Sequence, residues 1–176
     1  DINNGNLIWQ IPTQSSLALD AGFFLKTSDI VEEKNALFFS NNQNEFFSLD
    51  AQTGNLNWKQ EINSNLRPVI INDLIFTVTL EGYLVIVEKN SGNIVRSNYL
   101  LNQFKKKKRP DIEPTGFIIG NKNIYLSNNI GRLSVIDIAT GVTRNILKID
   151  NKKISRPAIF NKNLYIISNN SIIKLD

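Results

Sequence analysis

The amino-acid sequence predicts an all-β fold built from repeated four-stranded antiparallel sheets. Three observations predict it: a repeat of 38 to 49 residues, about four short apolar runs in each repeat, and turn-forming Asn, Gly and Pro between those runs. No helical periodicity connects the runs. Four antiparallel strands per repeat are typical of a β-propeller blade, so the chain is interpreted as a run of about four blades.

The repeat is most complete between residues 46 and 58. There the sequence Asp-Ala-Gln-Thr-Gly-Asn-Leu-Asn-Trp runs from Asp50 to Trp58 and includes Thr53 and Gly54. The turn glycines of the four copies are spaced by 49, 38 and 49 residues and are Gly5, Gly54, Gly92 and Gly141. Other residues that match the motif are Trp9, Asp137 and Thr140, and residues that depart from it are Glu88, Ser91, Arg96 and Asn145.

One unit shows how the strands are predicted. Its strands are expected at residues 68–71, 74–79, 83–88 and 94–100, with turns at Asn72-Asp73, Glu81-Gly82 and Asn90-Ser91-Gly92. A proline, Pro68, opens the unit, because the missing N–H of proline costs least at the start of a strand. Pro114 and Pro157 hold the same place in later units.

The remaining elements follow from the same pattern. A lone outermost strand is expected at residues 6–11, and segment 17–33 is interpreted as a longer innermost strand or loop. Further strands are expected near Phe38, Phe46 and Trp58, near Phe117, Tyr125, Ser134 and Ile146, and near Ala158, Tyr165 and Ile173. The chain is therefore predicted to be one partial propeller domain, 1–176. Its parts are a blade end at 1–13, blades at about 14–63, 64–101 and 112–150, and an incomplete blade at 151–176.

The two ends of the sequence complement each other. Residues 6–11 are an outermost strand without a blade, and residues 156–176 are a blade without its outermost strand. Propellers close their ring in this way, because closure removes exposed sheet edges. Two architectures follow, a closed ring of four blades or the C-terminal half of a ring of about eight. The second is favoured, because Asp1 and the residues after it resemble the interior of a gene product.

Composition excludes much familiar catalytic chemistry. The chain has no Cys and no His, which excludes thiolate nucleophiles, imidazole bases, Cys/His zinc sites and Ser-His-Asp triads. No apolar run approaches the length needed to cross a bilayer. The acidic pair Glu32-Glu33 is interpreted as part of a solvated loop, because hard cations need several converging oxygens. No cofactor or metal ligand is predicted.

The motif from Asp50 to Trp58 resembles the repeat of pyrroloquinoline-quinone-type propellers. The resemblance implies that the aspartate and the Thr-Gly pair shape a hairpin and that the tryptophan docks against the neighbouring blade. It therefore implies structural roles for Asp50, Thr53, Gly54, Trp58, Gly92, Asp137, Thr140, Gly141 and Trp9. Where Arg96 and Asn145 replace tryptophan, docking is expected to be weaker or achieved differently.

The resemblance implies two main functions. Quinone-dependent dehydrogenases bind the cofactor with calcium and a catalytic carboxylate, and no such constellation stands out here. The other branch contains noncatalytic scaffolds similar to the BamB lipoproteins, which implies protein partners in outer-membrane assembly, a periplasmic location at the outer membrane and an anchor outside this segment. This second function is favoured. A dehydrogenase fragment and a ligand-binding sensor domain are the alternatives, and self-pairing could complete the ring.

One basic run stands apart from the repeat. Five of the positive charges lie in Lys105, Lys106, Lys107, Lys108 and Arg109, whereas the whole chain has a net charge of +4. The run lengthens the connection between two blades. It is interpreted either as a solvated, mobile loop or as an electrostatic contact with an acidic protein or an anionic surface. Nucleic acid is not expected, because no aromatic residues are interleaved with the lysines.

Overall fold

The computed structural model describes residues 3–13 and 25–176. Its first two sheets are antiparallel and four-stranded, in sequence order. Blade 1 contains β1 (Val31–Glu33), β2 (Ala36–Asn41), β3 (Glu45–Asp50) and β4 (Leu56–Gln60). Blade 2 contains β5 (Val69–Ile71), β6 (Leu74–Val78), β7 (Tyr83–Glu88) and β8 (Ile94–Tyr99). The strands of blade 2 end within one residue of the predicted limits.

Two more sheets follow. A 3-10 helix at Lys106–Asp111 leads into blade 3, which contains β9 (Pro114–Gly120), β10 (Asn123–Asn128), β11 (Arg132–Asp137) and β12 (Thr143–Lys148). Blade 4 has three strands, β13 (Ala158–Phe160), β14 (Asn163–Ser168) and β15 (Ser171–Leu175). The all-β prediction and the prediction of partial-propeller blades are confirmed.

The prediction of an outermost strand at residues 6–11 is wrong. These residues form no strand, because a strand needs the backbone hydrogen bonds of a neighbour and no described strand pairs with them. For segment 17–33, the structure gives a short strand, β1, at its end and an isolated bridge between Thr27 and Asn41. The part before residue 25 lies outside the described residues.

Seven of the ten non-glycine residues with positive φ in the described chain are asparagines. Both central residues of a two-residue turn have positive φ at Lys34-Asn35, Asn121-Lys122, Asn161-Lys162 and Asn169-Asn170. Such turns match the right-handed twist of paired strands, and Asn tolerates this backbone conformation better than most residues. The expectation that Asn forms turns between the apolar runs is confirmed at these positions.

Each four-stranded blade has an irregularity at the same place. The register between the third and fourth strands shifts between Ser48 and Leu49, between Ile86 and Val87, and between Val135 and Ile136. The residue opposite each shift is the one four positions after the turn glycine, and we call this place the docking position. It is occupied by Trp58, Arg96 and Asn145. A β-bulge turns a side chain out of the regular alternation. In blades 1 and 2 the bulge lies beside the residue that reaches the next blade, Trp58 or Arg96.

The core lies between successive blades. Blade 1 packs on blade 2 through Phe38, Phe46 and Trp58 against Ile75, Val85 and Val87. Blade 2 packs on blade 3 through Phe76, Leu84 and Ile86 against Phe117, Ile124 and Ile136. Leu133 of blade 3 meets Leu164 and Ile166 of blade 4. Stacked sheets of this kind place the turns between strands at two opposite ends of the blades.

Candidate interaction surface

The turn after β3 is held by the Asp50 carboxylate. Its Oδ1 accepts hydrogen bonds from the backbone N–H of Thr53 at 2.8 Å and from the Thr53 hydroxyl at 2.9 Å. Gly54 follows with φ 74°, a conformation that glycine adopts without a steric penalty. These contacts give the Asp-x-x-Thr-Gly sequence a structural explanation.

The two later turns use the same carboxylate contact. Asp137 Oδ1 accepts from the Thr140 N–H at 2.8 Å and from its hydroxyl at 2.9 Å. In blade 2, where the motif departs, Glu88 Oε2 accepts from the Ser91 N–H at 2.6 Å. The longer glutamate side chain therefore caps the turn that an aspartate caps elsewhere.

These hydrogen bonds favour the ionised carboxylates. The Thr140 N–H and hydroxyl, followed by the Arg144 guanidinium, lower the pKa of Asp137 to about 2. The N–H and hydroxyl of Thr53 lower the pKa of Asp50. The hydroxyl and N–H of Ser91 lower the pKa of Glu88. All three carboxylates are accordingly charged and committed to turns at neutral pH.

Tryptophan at the docking position lies on the turn glycine of the next blade. A Cβ added to Gly92 would be 2.6 Å from Cδ2 of Trp58, and one added to Gly54 would be 2.7 Å from Cδ2 of Trp9. The indole N–H groups donate to backbone carbonyls of the same turns, Trp58 to Lys89 at 2.8 Å and Trp9 to Ala51 at 3.2 Å. Trp9 thus attaches the N-terminal segment to blade 1.

Arg96 takes the docking position between blades 2 and 3. Its guanidinium donates to the carbonyl of Ile138 at 2.7 Å and to that of Ala139. Ile138 follows the turn-capping Asp137 as Lys89 follows Glu88, so the accepting carbonyl is equivalent. Asn98 covers Gly141, where an added Cβ would lie 2.8 Å from the Asn98 side chain. An arginine and an asparagine together therefore replace one tryptophan.

A buried cation adds a second contact between blades 1 and 2. Lys89 Nζ donates to Glu33 Oε2 at 3.0 Å and to the carbonyl of Asn72 at 2.8 Å. The Lys89 side chain is buried and Glu33 is partly buried. The interpretation of Glu33 as a solvated loop residue is wrong, because the fold brings it against a lysine 56 positions away in sequence.

The basic run is folded. Residues 106–111 form the 3-10 helix, and Arg109 donates from Nε to the carbonyl of Phe104 at 2.9 Å and from its terminal nitrogen to that of Asn102 at 2.7 Å. We call residues 105–109 the basic turn. Lys105 to Lys108 are exposed, as expected of a solvated connection, and the turn is bonded through its own arginine and ends beside the buried Ile112.

The basic turn borders a cleft of about 860 Å³, which we call the basic cleft. The rings of Tyr83 and Tyr99 are 4.8 Å apart at its wall, and the Arg109 guanidinium lies 5.8 Å from the centre of the Tyr99 ring. Lysines from separate connections also line it. They are Lys26, before blade 1, Lys106 in the basic turn, and Lys153, between blades 3 and 4. Sequence reasoning found the basic turn but missed Lys26 and Lys153, which join it only through the fold.

Within residues 3–13 and 25–176, no group of three or more Asp or Glu side chains is close enough to hold a metal ion. The same part of the chain contains no helix long and apolar enough to span a membrane.

Comparison with known families and sequences gives one match. The family model described as outer membrane protein assembly factor BamB matches residues 1–98. Comparison with curated protein sequences finds no match.

Solved structures resemble the chain at low identity. BamB from Moraxella catarrhalis is 14% identical, with a TM-score of 0.67 over 84% of this chain and 41% of that chain. The quinohemoprotein alcohol dehydrogenase ADHIIG from Pseudomonas putida HK5 is 15% identical, with a TM-score of 0.55 over 66% and 19% of the two chains. The computationally designed Ika4 protein is 11% identical, with a TM-score of 0.62 over 84% and 91%. The chain thus spans 41% of the BamB structure that it matches.

Proposed function

The chain belongs to the family described as outer membrane protein assembly factor BamB, and from this premise we propose that it is a noncatalytic protein-interaction scaffold that assists outer-membrane protein assembly. The family match over residues 1–98 is the observation that carries the proposal. The motif residues support it, since Asp50, Trp58 and Asp137 are committed to turns and blade contacts. A rigid frame that leaves its loops available is suited to binding a protein partner.

We place the scaffold in the periplasm, at the outer membrane of a Gram-negative bacterium. Membership of a family of outer membrane protein assembly factors supports this location. In this proposal an anchor outside residues 1–176 supplies the membrane attachment, and a protein of the outer-membrane assembly machinery is the partner.

The basic turn is our proposed interaction loop. The side chains of Lys105, Lys106, Lys107 and Lys108 are all exposed, and no carboxylate of the described residues lies within ion-pair distance of them. A loop that is already folded loses little conformational entropy on binding. Its four free cations would speed association with an acidic partner.

We further propose that additional structure covers blade 4 in an intact ring of about eight blades. On the face of blade 4 turned away from blade 3, Phe160, Ile167 and Ile172 are 66%, 55% and 74% exposed. The faces that blades 1, 2 and 3 turn toward one another are buried. Pairing of two copies is the alternative way of covering this face.

Co-purification tests the scaffold function. The intact protein, tagged in the organism that encodes it, is expected to co-purify with outer-membrane assembly proteins from detergent-solubilised envelopes. A matched preparation tagged on an unrelated periplasmic protein is the control. Recovery of assembly proteins equal to that control would contradict the proposal.

The alternative is a fragment of a quinone-dependent dehydrogenase, which the similarity to quinohemoprotein alcohol dehydrogenase ADHIIG favours. Titration of the intact protein with pyrroloquinoline quinone and calcium, followed by absorbance and by dye reduction with alcohols, distinguishes the two. The scaffold function predicts neither stoichiometric quinone binding nor dye reduction. Stoichiometric binding with turnover would replace the scaffold by the enzyme.

A further inference from the structure

We propose that the basic cleft binds an extended acidic peptide segment of the partner protein. This inference rests on the proposed scaffold function and names the chemistry that the scaffold recognises. The proposed binding site is the whole cleft and not the basic turn alone. The cleft lies at the end of the blades that carries the β2–β3 and β6–β7 turns and the connections between blades.

The lining of the basic cleft carries a net positive charge. Four cations line the cleft, Lys26, Lys106, Arg109 and Lys153, against two carboxylates, Glu81 and Glu113. Glu81 already accepts a hydrogen bond from the Asn63 side chain. In the described part of the chain, none of the four cations has a carboxylate within 4.0 Å. The cleft therefore has a positive excess that its own residues leave unneutralised.

Contacts within the protein fix the position of Arg109 in the lining. Arg109 is held by two backbone carbonyls and lies over Tyr99, which packs on Tyr83. The basic turn is also joined to blade 3, because the Asn129 side chain donates to the carbonyl of Asp111 at 2.9 Å and accepts from the Glu113 N–H at 3.0 Å. Arg109 is therefore held at the cleft before a ligand arrives, which lowers the entropy cost of binding.

The shape of the surface favours a peptide over a membrane. A volume of about 860 Å³ accommodates several side chains, and the phenol ring of Tyr83, 42% exposed, offers an apolar contact beside the cations. Binding to a bilayer would instead benefit from exposed apolar side chains at the tip of the basic turn. There the flanking Ile112 is buried and Phe104 is half-buried. A concave, cationic surface with a tyrosine wall suits a peptide rich in Asp or Glu that also carries an aromatic or aliphatic side chain.

Fluorescence anisotropy of the intact protein with a labelled decapeptide of alternating Asp and Gly tests the inference. A decapeptide of alternating Ser and Gly is the ligand control. The double variant Lys106→Gln/Lys153→Gln removes two cations from the cleft. Lys34→Gln/Lys162→Gln removes two from turns at the opposite end of the blades and leaves the same net charge. Circular dichroism melting checks that all the proteins are folded.

We expect only the acidic peptide to bind. The cleft variant should bind it about ten-fold more weakly, because two partly exposed charge pairs are lost. The opposite-end variant should bind as the wild type does. The inference would be overturned if both variants weakened binding equally or if the acidic peptide did not bind. It would also be overturned if the protein bound vesicles containing 30% phosphatidylglycerol more tightly than the peptide. Co-purification with assembly proteins that persists in the cleft variant would refute the cleft and leave the scaffold function standing.

Discussion

The indole Nε1 of Trp58 donates a 2.8 Å hydrogen bond to the backbone carbonyl of Lys89 in the next blade. Its ring lies against the turn glycine Gly92 and packs at 5.6 to 6.0 Å, between ring centres, on Phe46 and Phe38 of its own blade. One side chain thus joins two sheets by a hydrogen bond, an aromatic cluster and contact with a turn.

Trp58→Ala should lower the free energy of unfolding by about 3–5 kcal/mol, because it removes a buried aromatic ring and leaves a cavity between blades. Trp9→Ala is the comparison. Trp9 is half-buried and attaches only the N-terminal segment to blade 1, so its loss should cost clearly less. Urea unfolding followed by circular dichroism measures both, and equal costs would contradict the role given to Trp58.

Gly92→Ala should be more destabilising than Gly5→Ala. Both glycines have positive φ, 76° and 71°, so both substitutions carry the same backbone strain of about 1 kcal/mol. Only the Cβ at residue 92 meets a side chain, Trp58, whereas nothing lies within 4 Å of one at residue 5. The difference between the two unfolding free energies isolates the steric contact, and a difference near zero would mean that Trp58 does not pack there.

Arg96→Ala should cost about 1–3 kcal/mol of stability, since it removes charge-assisted hydrogen bonds to two carbonyls of blade 3. Arg144→Ala removes an exposed ion pair with Asp137 and should cost no more than about 1 kcal/mol. Thermal and urea unfolding of the two variants compare them directly. If Arg144→Ala were the more damaging, Arg96 would not be the substitute for a docking tryptophan.

Acidification should weaken the turn contacts of Asp137. Its pKa of about 2 in the folded chain lies below the ordinary value of 3.8, so the folded protein binds fewer protons than the unfolded chain in that range. The contribution to stability is therefore present above about pH 4 and is lost as the pH falls through about 2. Asp137→Asn should show a shallower loss of urea stability between pH 5 and 2. Asp111→Asn, outside any capped turn, is the control and should follow the wild type. A wild-type slope in Asp137→Asn would contradict the cause given for the shift.

Local sequence signals predicted the strands and turns well, since they depend on neighbouring residues. The strand Tyr83–Glu88 was predicted to the residue, and the turn expected at Asn90-Ser91-Gly92 is present, with positive φ at Gly92. Long-range contacts were not accessible in this way. Arg96 stands where the motif has tryptophan, and the sequence did not show how blades 2 and 3 dock there. Only the fold shows that its guanidinium reaches the carbonyl equivalent to the one that the Trp58 indole reaches.

The candidate site was predictable only in part. The basic turn is visible as a run of charge, but its helical form depends on Arg109 finding carbonyls within the same connection. Lys26 and Lys153 are single lysines in unrelated connections, and no local pattern connects them to the basic turn. Residues 6–11 have the apolar content of a strand, yet form none without a partner.

Photocrosslinking from the basic turn tests the scaffold function most directly. A photoreactive amino acid would replace Lys107 in the intact protein in the organism that encodes it, with Lys34, at the opposite end of the blades, as the matched position. We expect a crosslink from residue 107 to a protein of the outer-membrane assembly machinery and little or none from residue 34. Crosslinks of equal strength from both positions, or none to an assembly protein from residue 107, would contradict the proposal that this end of the propeller binds the partner.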